Sequence, residues 1–251
     1  MKAAVIREYG GPGVLHLEDV AEPTVGPTQI LIRVAAASIN PMDTFEHAGQ
    51  TKDWRLLAFP AILEWDVAGK VVSAGADAKG FAPGDEVFSW GYHTYAELCS
   101  VDAAVVAKIP ARIDLQSAAA LPLVWTTGSQ LISVASGMTA GQTVLVALPP
   151  VDVVANTVRG ATADRLLGKL KPGGTFASVT GAPSSAKEYP SVRVVAFVSK
   201  QSSDTLRYIG EAAWSRRLSI PIGERLPLKD AAKGHALVEA GGAAGKVLLL
   251  P

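Results

Sequence analysis

Apolar and polar residues alternate with a period of two over residues 2–7 and again over 14–20, with Gly10-Gly11-Pro12-Gly13 turning the chain between them. Residues 29–35 (QILIRVA) repeat the alternation, and short apolar runs follow at 67–74, 86–89, 95–101 and 104–109. A turn-rich stretch, Gly80-Phe81-Ala82-Pro83-Gly84-Asp85, separates two of them. A period of two is that of a strand with one buried face. Many short strands punctuated by Gly and Pro predict a compact, barrel-like β part.

The pattern changes near residue 115. Segments 116–122 and 126–136, rich in Ala, Leu and Ile, read as helices. Residues 143–148 (TVLVAL), 151–157 (VDVVANT), 175–180 (TFASVT) and 193–198 (RVVAFV) are continuous apolar runs, as expected of strands buried on both faces of a parallel sheet. Residues 163–170 (ADRLLGKL) predict a short amphipathic helix stopped by Lys171-Pro172-Gly173-Gly174. Helices are expected over 203–217 and 229–240, and a last strand over 246–250. Strands alternating with helices give an α/β class with a doubly wound sheet.

Composition narrows the function classes. Of 251 residues, 49% are hydrophobic and 18% charged, enough for a sizeable core and against disorder. The 23 basic and 23 acidic side chains cancel, and no basic stripe is present, so nucleic acid is not an expected partner. A charge near zero leaves little repulsion between copies, and a homodimer is expected. The single cysteine, Cys99, can form neither an internal disulfide nor a cysteine-rich zinc site, and reads as a small buried hydrophobe. No signal-like start and no apolar run of ~18 residues is seen, which predicts a cytoplasmic protein without a membrane partner.

Several stretches together resemble the medium-chain dehydrogenase/reductase superfamily, specifically its zinc-free quinone oxidoreductase branch. They are the opening residues 1–7 and 10–15, 37–43 (ASINPMD), 66–69 (DVAG), 80–87 (GFAPGDEV), 118–128 (AAALPLVWTTG), 141–146 (GQTVLV), 170–179 (LKPGGTFASV) and 245–250 (GKVLLL), all in the family's order. The resemblance implies a GroES-like β-barrel domain over 1–122, completed by 222–251. It implies a Rossmann-like domain over 123–221. It also implies hydride transfer from NADPH to a quinone or an activated enone. Zinc is not expected, because the positions matching the ligands of the zinc-dependent relatives offer Asn40 and Trp65-Asp66.

One part of the family pattern is missing. A dinucleotide fingerprint needs Gly-x-Gly-x-x-Gly between the first Rossmann strand and its helix, so that the backbone can approach the pyrophosphate. After Val144-Leu145-Val146 the chain reads Ala147-Leu148-Pro149-Pro150-Val151, without a glycine. Residues 151–157 resemble the family's fourth strand, so about two βαβ units of ~30 residues each are absent and the sheet is a truncated one. Parallel neighbours need a crossover of about a dozen residues, which Pro149-Pro150 cannot supply. Residues 143–148 and 151–157 are therefore expected to pair antiparallel, to part company, or to be exchanged between copies.

Candidate site residues follow from the resemblance and from their chemistry. Asn40 and Asp43 match the substrate-cleft motif, and an amide and a carboxylate there can orient a carbonyl oxygen or a water. Asn-Pro and Asp-Thr also make turns and helix caps, and Asp43 fits a cap equally well. Tyr92 and His93, in the loop Trp90-Gly91-Tyr92-His93-Thr94-Tyr95, can donate a proton, or simply pack. Thr127 matches the position beside the nicotinamide. Val179, Thr180 and Gly181 end one strand and Phe197 and Val198 the next, at the sheet edge where ligands of open α/β folds bind. Phe45 lacks a hydroxyl that the family often carries near that position. Trp65 and Trp125 are larger than the residues expected there and would narrow the cleft. His16 and His47 read as surface residues, His235 lies on a late helix, and none of the three is expected to bind a metal.

Three functions are compatible with these features. The first is an NADPH-dependent quinone or enone reductase, favoured by the resemblance and opposed by the missing glycine loop. The second is a cofactor-independent cyclase, isomerase or lyase using Asp43, Tyr92 or His93 as acid or base. The third is a non-catalytic binder or an engineered minimal scaffold.

Overall fold

The structure is a computed structural model that describes residues 1–132, 151–215 and 218–251. The described chain divides into two compact units, Met1–Val124 with Gln201–Pro251, and Trp125–Lys200.

In the first unit, β1 (Lys2–Ile6) and β2 (His16–Asp19) pair antiparallel, with Val5 opposite His16. The long β3 (Gln29–Ile39) leads straight into helix α1 (Pro41–His47). Strand β4 (Ala61–Ile62) joins the other side of β1. Strand β3 pairs antiparallel with both β5 (Asp66–Ala74) and β7 (Leu98–Asp102), while β5 continues to β6 (Glu86–Trp90) and then to β8 (Val106–Lys108). Helix α2 (Leu115–Ala118) follows, and α3 (Pro122–Gln130) begins where this unit ends.

Burial explains why β3 organises this unit. Its first half alternates, with Ile30, Ile32 and Val34 entering one core with Val67, Val71, Val87 and Val101. Its last four residues, Ala36, Ala37, Ser38 and Ile39, are all buried, because this end is covered on both faces. Small side chains there let the neighbouring strands approach closely. Gly69 of β5 lies so near β3 that a Cβ placed on it would run into the Arg33 carbonyl oxygen.

The second unit holds β9 (Val151–Asn156), α4 (Ala161–Leu167), β10 (Leu170–Ser178) and β11 (Arg193–Ala196). The strands are parallel in the order β11-β10-β9, as the apolar runs predict. Phe176, Val154, Ala163 and Leu167 form the core under α4. On the opposite face Ala177 packs with Leu131, Ala155 and Val195. The expected helix over 163–170 starts earlier and stops at Leu167. Residues 171–174, read as a helix stop, lie inside β10, where they shift the register between Leu170 and Thr175. Gly173 takes φ +81°, which suits the irregularity. The arrangement expected for residues 143–148 lies outside the described residues.

The chain then returns to the first unit through α5 (Ser203–Trp214), β12 (Ile222–Pro227), α6 (Ala231–Glu239) and β13 (Lys246–Leu250). Helix α5 belongs to this unit, although the sequence division puts residues 201–221 with the Rossmann-like part. Its Gly210 sits against Pro110 and the ring of Phe88. Strands β12 and β13 are parallel, so α6 serves as their crossover. Strand β13 pairs antiparallel with β3, with Val247 opposite Ile39 and Leu249 opposite Ala37. No helix of the described residues is long and apolar enough to cross a membrane.

The close approach at Gly69 makes a specific prediction. Gly69→Ala must force β3 and β5 apart, and urea denaturation should show a loss of about 3 kcal/mol or more. A loss below about 1 kcal/mol would mean that the strands yield at this point.

Candidate functional site

The site starts where β3 becomes α1. Asn40 is the helix N-cap with extended backbone, and Pro41 occupies the first helical position, where a missing N–H costs nothing. The Asn40 backbone N–H donates to Asp43 Oδ2 at 2.6 Å. Asp43 therefore caps the helix, as its local sequence allows. Its second oxygen, Oδ1, has no donor among the described residues although it is fully buried.

Three more buried groups converge on Asn40. Its side-chain Nδ2 donates to Asp66 Oδ2 at 2.9 Å and to Glu64 Oε1 at 3.1 Å, while its Oδ1 accepts from Lys246 Nζ at 2.5 Å. Asp66 also accepts from Ser38 Oγ at 2.7 Å and from the Leu123 backbone N–H at 2.8 Å, and Lys246 Nζ lies 3.5 Å away. Its charge is thus well compensated. Glu64 sits at φ +94°, an unusual backbone for a residue with a side chain, and the Asp66 N–H donates to its Oε1 at 2.9 Å.

Asp43 and Glu64 are the remaining fully buried acids beside Asn40, and two buried carboxyls can lie near one another without repulsion only if one of them is protonated. Burial first, and then the Glu64 charge, push Asp43 well above the usual carboxylate range. Burial also raises Glu64. Asp43 Oδ1 and Glu64 Oε2, each without another donor, are the oxygens left to hold the proton. Burial and these two acids likewise push the Tyr95 hydroxyl well above 10.0. Tyr95 Oη lies 2.9 Å from His235 Nε2. Burial drives His235 down to about 3, which keeps it neutral.

His47 is fully buried, not at the surface as its sequence context suggests. It is the last residue of α1, whose inner face meets α6, so the ring stacks 5.1 Å from that of His235. Its Nδ1 lies 2.8 Å from the Gly10 carbonyl oxygen and its Nε2 3.2 Å from Glu239 Oε1.

An aromatic wall adjoins this cluster. Trp65 follows Glu64 and packs against Trp90 and Tyr92, with ring centroids 5.8 and 5.0 Å away. The Arg55 guanidinium carbon lies 4.8 Å from the Trp65 ring and 4.5 Å from the Tyr92 ring, and its Nε is 3.1 Å from Glu46 Oε1. Burial raises Glu46 to about 7, against the pull of Arg55. Tyr92 is exposed, and so is His93, whose φ of +62° turns its Nδ1 to within 2.9 Å of the Ile62 carbonyl oxygen. The first unit therefore joins Asn40 and Asp43 in one buried network. Tyr92 and His93 stand outside it, on the solvent side of Trp65. An open groove of about 310 Å³ runs past His93, lined by Arg55, Leu56, Leu57, Pro60 and Ile62.

The second unit carries the residues expected to bind a dinucleotide. At the carboxyl ends of its strands, Asn156 Nδ2 donates to Ser178 Oγ at 3.0 Å and to Thr180 Oγ1 at 3.2 Å. Thr180 Oγ1 donates in turn to the Val158 carbonyl at 2.8 Å. Val179 and Phe197 are half-buried and pack on the sheet face. Gly181 has φ +94° and open space where a Cβ would be, and Val198 is 85% exposed. Thr127 lies in α3, half-buried. Val179, Thr180, Gly181, Phe197 and Val198 all lie just beyond the carboxyl ends of the parallel strands β10 and β11. The turn after residues 143–148 lies outside the described residues. Among those described, no group of three or more His, Cys, Asp or Glu side chains is arranged to hold a metal.

Sequence reasoning missed Glu46, Arg55, Glu64, Tyr95, His235 and Lys246. Two carboxylates flanking a Trp, as in Glu64-Trp65-Asp66, are an unusual start to a buried strand and were the available signal. Lys246 gave none, since 206 residues separate it from Asn40.

Comparison with known proteins adds the family context. Residues 26–111 match the model of the alcohol dehydrogenase GroES-like domain, and residues 133–249 match that of the zinc-binding dehydrogenases. The chain is 34% identical over 157 residues to an NADPH-dependent alkenal/one oxidoreductase of Arabidopsis thaliana, a match covering 58% of this chain and 40% of that protein. It is 35% identical over 152 residues to human quinone oxidoreductase, covering 58% and 45%. The chain thus spans less than half the length of these relatives. The structure of Escherichia coli quinone oxidoreductase complexed with NADPH superposes with a TM-score of 0.79 at 18% identity, covering 100% of both chains.

The proton on this pair of acids separates two substitutions at Asp43. Asp43→Asn keeps an acceptor for the Asn40 N–H and supplies a donor to Glu64, so its stability near neutral pH should stay within about 1 kcal/mol of wild type. Asp43→Ala removes both and should lose about 2 kcal/mol or more. Equal losses by chemical denaturation would argue against a proton between the two acids.

Glu46 sets a pH dependence. Its folded-state pKa of about 7 lies above the ordinary 4.5, so its contribution to stability is fully present below that ordinary value and lost as pH rises through about 7. Thermal unfolding should show wild type weakening by roughly 2–3 kcal/mol across this window. Glu46→Gln should flatten the curve, and an unchanged slope would assign the effect elsewhere.

Proposed function

We propose that this chain, which is similar over part of its length to quinone and alkenal reductases and matches dehydrogenase domain models over residues 26–111 and 133–249, is an NADPH-dependent reductase of quinones or conjugated enones. The observation that carries this reading is the largely apolar groove of Leu56, Leu57, Pro60 and Ile62, whose wall residue Arg55 packs on the Trp65 and Tyr92 rings. A flat, conjugated, weakly polar substrate gains most from such a surface. NADPH would lie along the ledge formed by Val179, Thr180, Gly181, Phe197 and Val198, with Thr127 at its nicotinamide end, and would supply the hydride.

The chain's own groups do the rest. The cap at Asn40 and Asp43 fixes the end of β3, and the proton between Asp43 and Glu64 keeps a neutral acid beneath Trp65. Tyr92 and His93 stand at the solvent side of the wall, where a hydroxyl or an imidazole N–H can deliver a proton to the reduced oxygen. The cofactor-independent reading assigns the same residues to acid–base chemistry alone.

Calorimetric titration with NADPH separates the two. Saturable binding in the ~micromolar range, with NADPH consumed when a quinone is added, is the expected result. Absence of heat at ~millimolar NADPH, together with conversion of substrate in its absence, would sink the reductase reading.

A further inference from the structure

The Arg55 guanidinium is placed in an unusual way. It lies against two aromatic rings, Trp65 at 4.8 Å and Tyr92 at 4.5 Å, and uses Nε toward Glu46. Its two Nη nitrogens have no hydrogen-bond partner among the described residues. The side chain is 19% exposed, and it forms part of the wall of the 310 Å³ groove. The other walls are Leu56, Leu57, Pro60 and Ile62, with the His93 imidazole beside them. A planar fork with free N–H groups, held against two aromatic rings at the wall of a largely apolar groove, matches a carboxylate attached to an apolar or aryl body. Leu56, exposed by 76%, and Phe59, exposed by 39%, extend the apolar surface outward.

We propose that Arg55 is a specificity residue and that the substrate of this groove carries a carboxylate, which the free Nη groups of Arg55 bind while the conjugated body lies along the groove. This rests on the reductase reading for the chemistry, but the selectivity it names is a property of binding. Glu46 modulates it. The buried Glu46 carboxyl faces Arg55 and the Trp65 indole, and the Glu64 charge also acts on it. As long as Glu46 stays protonated, the Arg55 charge is left for the ligand. Once Glu46 ionises it takes part of that charge, so carboxylate binding weakens as pH rises.

The test uses the full chain and two probes, benzoylacrylate and its methyl ester, which share an activated enone and differ in charge. Quenching of tryptophan fluorescence is followed without cofactor. The acid should bind about tenfold tighter than the ester near pH 6, and the ratio should shrink toward about threefold near pH 8. Arg55→Gln should bring the ratio to about one, and Arg55→Lys should keep a part of it, as a point charge without the stacked fork. Near-ultraviolet circular dichroism checks that both variants are folded. Equal binding of acid and ester by wild type overturns the proposal, as does a ratio that survives in Arg55→Gln. Competition by inorganic phosphate as effective as that of the acid also overturns it, because the site would then read charge alone. Reduction of the ester by NADPH is measured separately. Its absence counts against the reductase reading and leaves the binding ratio intact, whereas turnover without a ratio defeats only the carboxylate subsite.

Discussion

Everything around the site depends on how four buried carboxyls are kept in one place. Asp66 is surrounded by the donors Ser38, Asn40, the Leu123 N–H and Lys246. Glu64 and Asp43 have no cation beside them among the described residues, and burial raises both. Glu46 has Arg55, yet is buried deeply enough to sit near its titration point. An unpaired buried carboxylate costs several kcal/mol, so each of these solutions constrains the backbone that carries it. The left-handed conformation of Glu64 is held by such a constraint, through the Asn40 amide and the Asp66 N–H.

The cluster also explains the layout of the first unit. The end of β3 is buried on both faces, so its polar groups must be satisfied internally. The α1 cap, the turn into β5 and the first residue of β13 meet there and satisfy one another. Next to this network Trp65 is buried against Trp90 and Tyr92.

Much of the fold was legible in the residues. Most strands follow from period-two alternation and from continuous apolar runs, and the apolar runs mark β9 to β11 as parallel, whereas β4 and β12 carry no such pattern. Helix α1 escaped, because seven residues with Thr44, Phe45 and His47 carry little helical propensity, and only the capping Asn-Pro-x-Asp pattern marks it. Residues 171–174 were misleading for the opposite reason: Pro and Gly that stop a helix also make a bulge. Asn40 and Asp43 were legible as a pair since the cap is local. Burial of His47 and the roles of Arg55, Glu64 and Lys246 depend on tertiary contacts that no window of the chain contains.

Lys246 has a consequence for how the molecule is made. It is separated from Asn40 by 206 residues, yet it provides a cation to the acid cluster at the end of β3. During synthesis the early strands leave the ribosome long before that cation exists. At a translation rate of about 5–20 residues per second, the gap lasts roughly ten seconds or more. For that interval the first strands must either wait open, with their acids hydrated, or close around a charge without its counter-ion. The barrel thus commits late, and the second unit is synthesised in full before the first can finish.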